Sequence, residues 1–133
     1  MTQAEIKLHY RAAWLWFGYL LVFIVILLSI NPAPEVVGLS VNDKVAHFVA
    51  YGGLMGWFSQ VYYSFKQRIV AAILLVVLGV TMEFVQANIP GRYYEFADML
   101  ANSSGVFLGW LLCLTPLQYI LRSFEKVLPQ KSL

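Results

Sequence analysis

The chain has 133 residues, of which 60% are hydrophobic and 12% are charged, whereas a soluble domain usually has about 25% charged residues. A water-soluble chain this short must keep much of its surface in contact with water, so the composition argues against a soluble globule, a disordered tail and a nucleic-acid-binding domain. The net charge of +2 is too small to indicate a polyanionic partner. With one cysteine, Cys113, the chain cannot form an intrachain disulfide.

Four intervals of the sequence are long and apolar enough to predict membrane-spanning helices, each of which needs about 20 residues. The first extends from Ala12 to Ile30 and ends at Asn31-Pro32-Ala33-Pro34, since proline cannot continue a helix. Its apolar length exceeds that of a signal peptide, which indicates a helix retained in the protein. The other three extend over residues 43–63, 69–86 and 97–120, so the sequence predicts an all-α membrane protein built as a four-transmembrane-helix bundle.

The distribution of basic residues predicts the orientation of these helices, because cytoplasmic segments of membrane proteins retain Lys and Arg. Seven of the nine basic residues flank the predicted bundle on one side: Lys7, Arg11, Lys66, Arg68, Arg122, Lys126 and Lys131. Both termini should therefore be cytoplasmic, with an N-terminal segment at residues 1–11, the membrane domain at 12–120 and a C-terminal tail at 121–133.

The polar residues of the predicted helices collect at the opposite, outward-facing end. They are Asp43, Lys44, His47 and Tyr51 on the second helix, Glu83 and Gln86 on the third, Arg92 in the following turn, and Asp98 and Asn102 on the fourth. Residues three or four positions apart share a helix face, so each helix presents one polar stripe. A charge exposed to lipid costs at least a few kcal/mol, so we expect the stripes to face a common pocket.

Small residues recur at every fourth position on two of the predicted helices. They are Gly52 and Gly56 on the second helix, and Ala97, Ala101, Gly105 and Gly109 on the fourth. Because small side chains let helix backbones approach closely inside a bilayer, this spacing predicts tight packing on one face of each helix.

The polar residues and their spacing across three helices resemble the signature of the VanZ-like family, small polytopic bacterial membrane proteins named for a member associated with teicoplanin resistance. The matching positions are Asp43-Lys44-x-x-His47, Tyr51, Glu83-x-x-Gln86, Pro90-x-Arg92, Asp98-x-x-x-Asn102 and Gly105, within about residues 43–109. The resemblance implies a multi-pass protein of the bacterial inner membrane with a role in the cell envelope or in antibiotic resistance. It implies no particular reaction.

Most of these residues also have a purely structural interpretation. The structural roles are helix capping for Asp43 and Asp98, snorkelling to the membrane surface for Lys44 and Arg92, and hydrogen bonding between helices for His47, Tyr51, Gln86 and Asn102. Glu83 and His47 are the candidate catalytic residues. Glu83 is the stronger of the two, because a carboxylate within an apolar run must be paired, protonated or exposed to water.

The sequence is compatible with three functions. It does not determine whether the protein is an enzyme. The first, which we favour, is a pocket that binds the head group of an anionic lipid, a lipid-linked envelope precursor or a glycopeptide antibiotic, with Lys44 and Arg92 pairing with the anion. The second is an intramembrane enzyme in which Glu83 or His47 acts as general base. The third is a small transporter or flippase subunit, which would require oligomers because the polar groups lie at one end only.

The same residues do not predict a cofactor. One histidine accompanied by carboxylates is not a diagnostic zinc ligand set, so the sequence predicts no metal site. The expected partners are membrane lipids and a lipid-linked or glycopeptide ligand, without nucleic acid, and a homo-oligomer is compatible with the sequence.

Overall fold

The computed structural model describes residues 7–30, 43–90 and 94–129, and every regular element within them is helical. The elements are α1 (Arg11–Ile30), α2 (Asp43–Val61), α3 (Phe65–Gln86), α4 (Phe96–Leu111), two 3₁₀ turns (Leu112–Leu114 and Pro116–Tyr119) and α5 (Ile120–Glu125). For these residues the all-α prediction is confirmed.

Three of the described helices are long and apolar enough to cross a membrane: Arg11–Ile30, Phe65–Gln86, and Phe96–Leu114, which includes the first 3₁₀ turn. Their apolar side chains point largely away from the bundle, and Trp16 on α1 is 73% exposed. A surface this apolar is typical of helices that face lipid, because soluble proteins rarely expose apolar patches of this size.

Helix α2 is the central helix of the bundle and contacts α1, α3 and α4. Its buried residues Tyr51, Leu54 and Met55 form the core together with Leu75 of α3 and Val106 of α4. A helix enclosed by other helices has little contact with the surroundings of the bundle, so polar residues on it can bind partners on neighbouring helices. This position explains why α2 is less apolar than its neighbours.

Glycines allow α4 to approach α2 closely. A Cβ atom at Gly105 would lie 2.4 Å from the backbone oxygen of Phe48, and one at Gly109 would lie 2.7 Å from the backbone oxygen of Gly52. Both distances are shorter than any van der Waals contact, so only glycine fits at these two positions. The structure confirms the tight packing predicted from the small residues of α2 and α4.

Two helix boundaries differ from the prediction by more than two residues. Helix α3 begins at Phe65 instead of Ile69, so Lys66 and Arg68 belong to its first turn and not to a connecting loop. Helix α4 ends at Leu111 instead of continuing to residue 120, and Thr115 is extended, with φ −121° and ψ 161°. The ring of a proline disfavours helical geometry in the preceding residue, so Pro116 interrupts the predicted fourth helix.

The carboxylate of Glu125 joins α5 to the N-terminal end of α1. It accepts hydrogen bonds from the backbone N–H groups of His9 and Tyr10, at 2.7 and 2.8 Å, and from Trp14 Nε1 at 2.6 Å. Leu121 and Glu125, which belong to the segment predicted as a C-terminal tail, are both buried. The two ends of the described chain therefore meet at the end of the bundle where α1 begins.

Replacing Glu125 with alanine is expected to release residues 9–14 from α5, because three donors lose one shared acceptor. We expect a local loss of about 2 kcal/mol, measured as faster hydrogen exchange of the His9 and Tyr10 amides in detergent. Glu95→Ala removes an exposed carboxylate at the opposite end and serves as the control. Unchanged exchange in Glu125→Ala would contradict this role for Glu125.

Candidate functional site

The candidate site lies at the end of the bundle where α2 and α4 begin and α3 ends. Three helices contribute one cluster of side chains, which we call the polar cluster: His47 of α2, Glu83 of α3, and Asp98 and Asn102 of α4. Because α2 and α4 run in the same direction and α3 in the opposite one, residues distant in sequence reach the same depth. The structure thus brings together four of the residues singled out in the sequence.

His47 connects the other members of the polar cluster. Its Nδ1 lies 2.9 Å from Asn102 Oδ1 and 3.9 Å from Glu83 Oε1, and its Nε2 lies 3.9 Å from Asp98 Oδ2. An amide oxygen only accepts hydrogen bonds, so in this contact the Nδ1–H of His47 donates a hydrogen bond to Asn102 Oδ1. The lone pair of the imidazole is then on Nε2, the nitrogen nearer to Asp98.

The polar cluster is almost inaccessible from outside the bundle. Glu83 is 0% exposed, Asn102 1% and Asp98 3%. The Nδ2 of Asn102 and the hydroxyl of Tyr51 have no hydrogen-bond partner among the described residues. Both groups are donors, and buried donors are almost always satisfied in proteins, by water or a ligand where no side chain is available.

Tyr51 lies directly beneath the polar cluster, one helical turn after His47. Its ring carbon Cε1 and the Nδ2 of Asn102 both lie near the α carbon of Gly79, at 3.3 and 3.1 Å from where a Cβ atom would be. Gly79 is four residues before Glu83, so it occupies the same face of α3. The absence of a side chain at Gly79 therefore leaves room for the tyrosine ring and the amide.

Lys44 lies at the rim of the polar cluster. Its ammonium group contacts Glu95 Oε2 at 2.7 Å and Asp98 Oδ1 at 3.7 Å, and its side chain is 47% exposed. The sequence analysis did not include Glu95 in the candidate site. The sequence does contain a signal for Glu95. This residue is three positions before Asp98, so the two lie on the same side of the start of α4.

The remaining predicted site residues lie elsewhere or outside the described residues. Gln86 is buried, and its Nε2 donates to the backbone oxygen of Ser29 at 2.9 Å, which links the ends of α3 and α1. Asp43 is the first residue of α2, but its side chain and the whole of Arg92 lie outside the described residues. The predictions for these two side chains stay predictions.

The sequence analysis also missed buried polar residues at the opposite end of the bundle. Arg68 donates to the backbone oxygens of Tyr62 and Ser59, and its Nη1 lies 3.1 Å from Gln118 Oε1. Gln60 donates to Leu117 O at 2.6 Å and accepts from the Leu121 N–H at 3.1 Å. These contacts join helix ends to one another, so we interpret them as scaffold.

The polar cluster has the chemistry of a general base or of a metal-binding site. The imidazole of His47 and a buried carboxylate can each take up a proton. His47, Glu83 and Asp98 each offer one ligand atom, and these three atoms lie within 4.8 Å of one another. Imidazole nitrogen and carboxylate oxygen are both common ligands of divalent metal ions.

Comparison with known families finds a match that covers most of the chain. The family model of VanZ/LLP1 matches residues 6–121, a range that contains the entire polar cluster. No curated protein and no solved structure matches the chain. The match agrees with the resemblance seen in the polar residues and with the membrane-length helices of the bundle. The chain is therefore a membrane protein that belongs to the VanZ/LLP1 family.

Proposed function

We propose that this protein crosses the bacterial inner membrane four times, with both termini in the cytoplasm, and binds a phosphate-bearing head group beside the polar cluster. The head group would belong to an anionic lipid or to a lipid-linked envelope precursor. The positions of Arg11, Lys66 and Arg122 support the orientation, because all three are in helix turns at the end away from the cluster. Helix α2 would be the fourth membrane-spanning helix.

The observation that carries the proposal is the position of Lys44. Its ammonium group is half exposed at the rim of a buried polar cluster, where a head group arriving from the membrane surface can reach it. The contact with Glu95 is solvent-exposed, and exposed ion pairs contribute only about 0–1 kcal/mol. A phosphate group can therefore replace Glu95 as the partner of Lys44 at little cost.

Arg92 is the second cation that we propose for the head group. Arg92 precedes α4 by four residues in the sequence, and its guanidinium group suits bidentate binding of phosphate. Lys44 would then supply a compact charge and Arg92 the directional hydrogen bonds.

Binding of lipids to purified protein tests this proposal. The wild-type protein in detergent should bind phosphatidylglycerol or a polyprenyl phosphate, and Lys44→Ala should bind about tenfold more weakly, since a charged hydrogen bond is worth about 1.5–3 kcal/mol. Lys66→Ala removes a lysine at the opposite end and should leave the affinity unchanged. Equal affinities for the wild type and Lys44→Ala would reject the proposal.

Teicoplanin is the comparison ligand in the same assay. If the protein binds the glycopeptide in a Lys44-dependent manner but neither phosphate-bearing lipid, the lipid assignment is wrong and the antibiotic takes its place. Binding of the polyprenyl phosphate but not of phosphatidylglycerol would identify the lipid-linked precursor as the ligand.

The position of His47 favours an intramembrane enzyme as the second candidate function. Its ring lies 3.9 Å from one carboxylate on each side, Glu83 and Asp98, so a proton can be passed between an imidazole and a buried acid. Turnover of a polyprenyl phosphate that is lost in Glu83→Gln would support this function. Absence of turnover with a panel of anionic lipids that do bind would reject it.

A further inference from the structure

The described residues contain a set of three metal-ligating side chains in the middle of the polar cluster. We infer that His47, Glu83 and Asp98 bind one divalent transition-metal ion. Each side chain comes from a different helix, and their ligand atoms already lie within 4.8 Å of one another. A metal ion bound here would link α2, α3 and α4 through one ligand from each helix.

The distances are suitable for a metal ion after small side-chain movements. Ligands bound at about 2.1 Å are about 3.0–3.4 Å apart when adjacent and about 4.2 Å apart when opposite each other. His47 Nε2 lies 3.9 Å from Asp98 Oδ2, whereas the 3.9 Å contact of Glu83 Oε1 is with Nδ1, the nitrogen that contacts Asn102. Coordination through Nε2 therefore requires the Glu83 side chain to turn toward Asp98, and one ring nitrogen and one oxygen of each carboxylate start within 4.8 Å of one another.

The burial of the carboxylates separates this cluster from the exposed acidic groups common on protein surfaces. Glu83 and Asp98 are both buried, and their oxygen atoms lie close to the same imidazole. Lys44 supplies one positive charge 3.7 Å from Asp98. A divalent cation between the two carboxylates would add a positive charge that both of them share.

Asn102 orients the imidazole for metal binding. The contact between His47 Nδ1 and Asn102 Oδ1, at 2.9 Å, places the proton on Nδ1 and directs the lone pair of Nε2 toward Asp98. Histidines that bind metals almost always donate their other ring N–H to an oxygen acceptor, which fixes the tautomer. Asn102 has this role here, although the sequence analysis considered it only as a ligand-binding or interhelical residue.

Two buried donors beside the three ligands indicate that a further oxygen atom binds there. The Tyr51 hydroxyl and Asn102 Nδ2 have no hydrogen-bond partner among the described residues, and both belong to side chains that are 1% exposed. Three protein ligands leave at least one coordination position of a metal ion open. Water or a ligand oxygen in that position would accept hydrogen bonds from these two donors.

The ligand set favours Zn²⁺ or Mn²⁺ over Mg²⁺ or Ca²⁺. Mg²⁺ and Ca²⁺ bind almost entirely through oxygen, whereas imidazole suits transition metals. The open position would also suit a phosphate oxygen, so the metal ion and Lys44 could contact the same head group. The metal proposal does not depend on head-group binding, because a metal ion alone is sufficient to test it.

Titration of chelator-treated protein with Zn²⁺ and with Mn²⁺, in a detergent free of phospholipid, tests the metal proposal. The wild type should bind one ion per chain and unfold at a higher temperature when loaded. His47→Gln, Glu83→Gln and Asp98→Asn should each weaken binding by about 100-fold. His9→Gln removes the chain's other histidine, near the opposite end, and should bind like the wild type.

If the variants do not fold, X-ray absorption spectroscopy of the Zn²⁺-loaded wild type tests the same proposal. A spectrum with one nitrogen ligand and oxygen ligands at about 2.0–2.2 Å supports the site. A spectrum without a nitrogen ligand, or no saturable binding of either ion, overturns it. Binding of Ca²⁺ or Mg²⁺ alone, or equal affinity in His47→Gln and the wild type, also overturns it.

Discussion

Replacing Gly105 with alanine is expected to lower the free energy of unfolding by about 3 kcal/mol, at the upper end of the usual cost of overpacking. The new methyl group would lie 2.4 Å from the backbone oxygen of Phe48 and 3.0 Å from the backbone nitrogen of Gly52. Because both contacts are with backbone atoms, no side-chain rotation can relieve them. Helix α4 must instead move away from α2, which also separates Asn102 and Asp98 from His47.

Gly53→Ala provides a matched control for this prediction. A Cβ atom at Gly53 meets nothing within 4 Å, although the residue is adjacent in sequence to Gly52. Alanine stabilises a helix interior relative to glycine by about 0.5–1 kcal/mol, so this variant should be as stable as the wild type or slightly more stable. Thermal unfolding in detergent measures both variants. If Gly105→Ala is as stable as Gly53→Ala, the close approach of α2 and α4 is wrong.

The helices and the position of the polar residues could be predicted because both follow from local properties of the sequence. The described part of α1 reaches Ile30 and that of α2 starts at Asp43, so most of both predicted apolar intervals is helical. The positions of His47, Glu83 and Asp98 along their helices place them at one end of the bundle, because α3 runs opposite to α2 and α4. The rise of about 1.5 Å per residue is sufficient for this result.

The contacts within the cluster could not be predicted, because they depend on how far each helix is rotated about its own axis. The sequence does not distinguish Gln86 from Asn102, because both are predicted to be polar residues near the same end of the bundle. In the structure Asn102 contacts His47, whereas Gln86 binds the backbone of Ser29. Spacing identifies the face of a helix, but it does not identify the neighbour that the face contacts.

The buried contacts of Arg68 at the opposite end of the bundle could not be predicted for the same reason, because spacing does not identify the neighbours of a side chain. The sequence analysis used Arg68 only to assign orientation, because a basic residue beside an apolar run usually lies at the membrane surface. Arg68 is instead 4% exposed and contacts three acceptors. Arg68 lies at the end of the bundle away from the polar cluster, where it contacts Tyr62 and Gln118.

Replacing Arg68 with alanine is therefore expected to destabilise the protein by about 3 kcal/mol or more, because each buried acceptor left without a donor costs about 1–3 kcal/mol. The substitution leaves the backbone oxygens of Tyr62 and Ser59 and the Oε1 of Gln118 without this donor. The connection between α2 and α3 would lose its link to the segment after Pro116. Thermal unfolding in detergent and limited proteolysis near Tyr62 measure the effect.

Arg11→Ala is the matched control, because both arginines lie at the same end and each contacts a tyrosine ring. The guanidinium carbon of Arg68 lies 5.3 Å from the centre of the Tyr63 ring, and that of Arg11 lies 5.4 Å from the centre of the Tyr62 ring. Arg11 is exposed, and a cation–π contact at an exposed site contributes about 0.5–1 kcal/mol, so its loss should have a small effect.

Arg68→Lys separates the effect of charge from that of hydrogen-bond geometry. Lysine keeps the positive charge but lacks the planar group that reaches three acceptors at once, so we expect it to restore less than half of the stability lost in Arg68→Ala. Full recovery in Arg68→Lys would mean that charge alone matters at this position. Equal losses in Arg68→Ala and Arg11→Ala would show that Arg68 is not part of the scaffold.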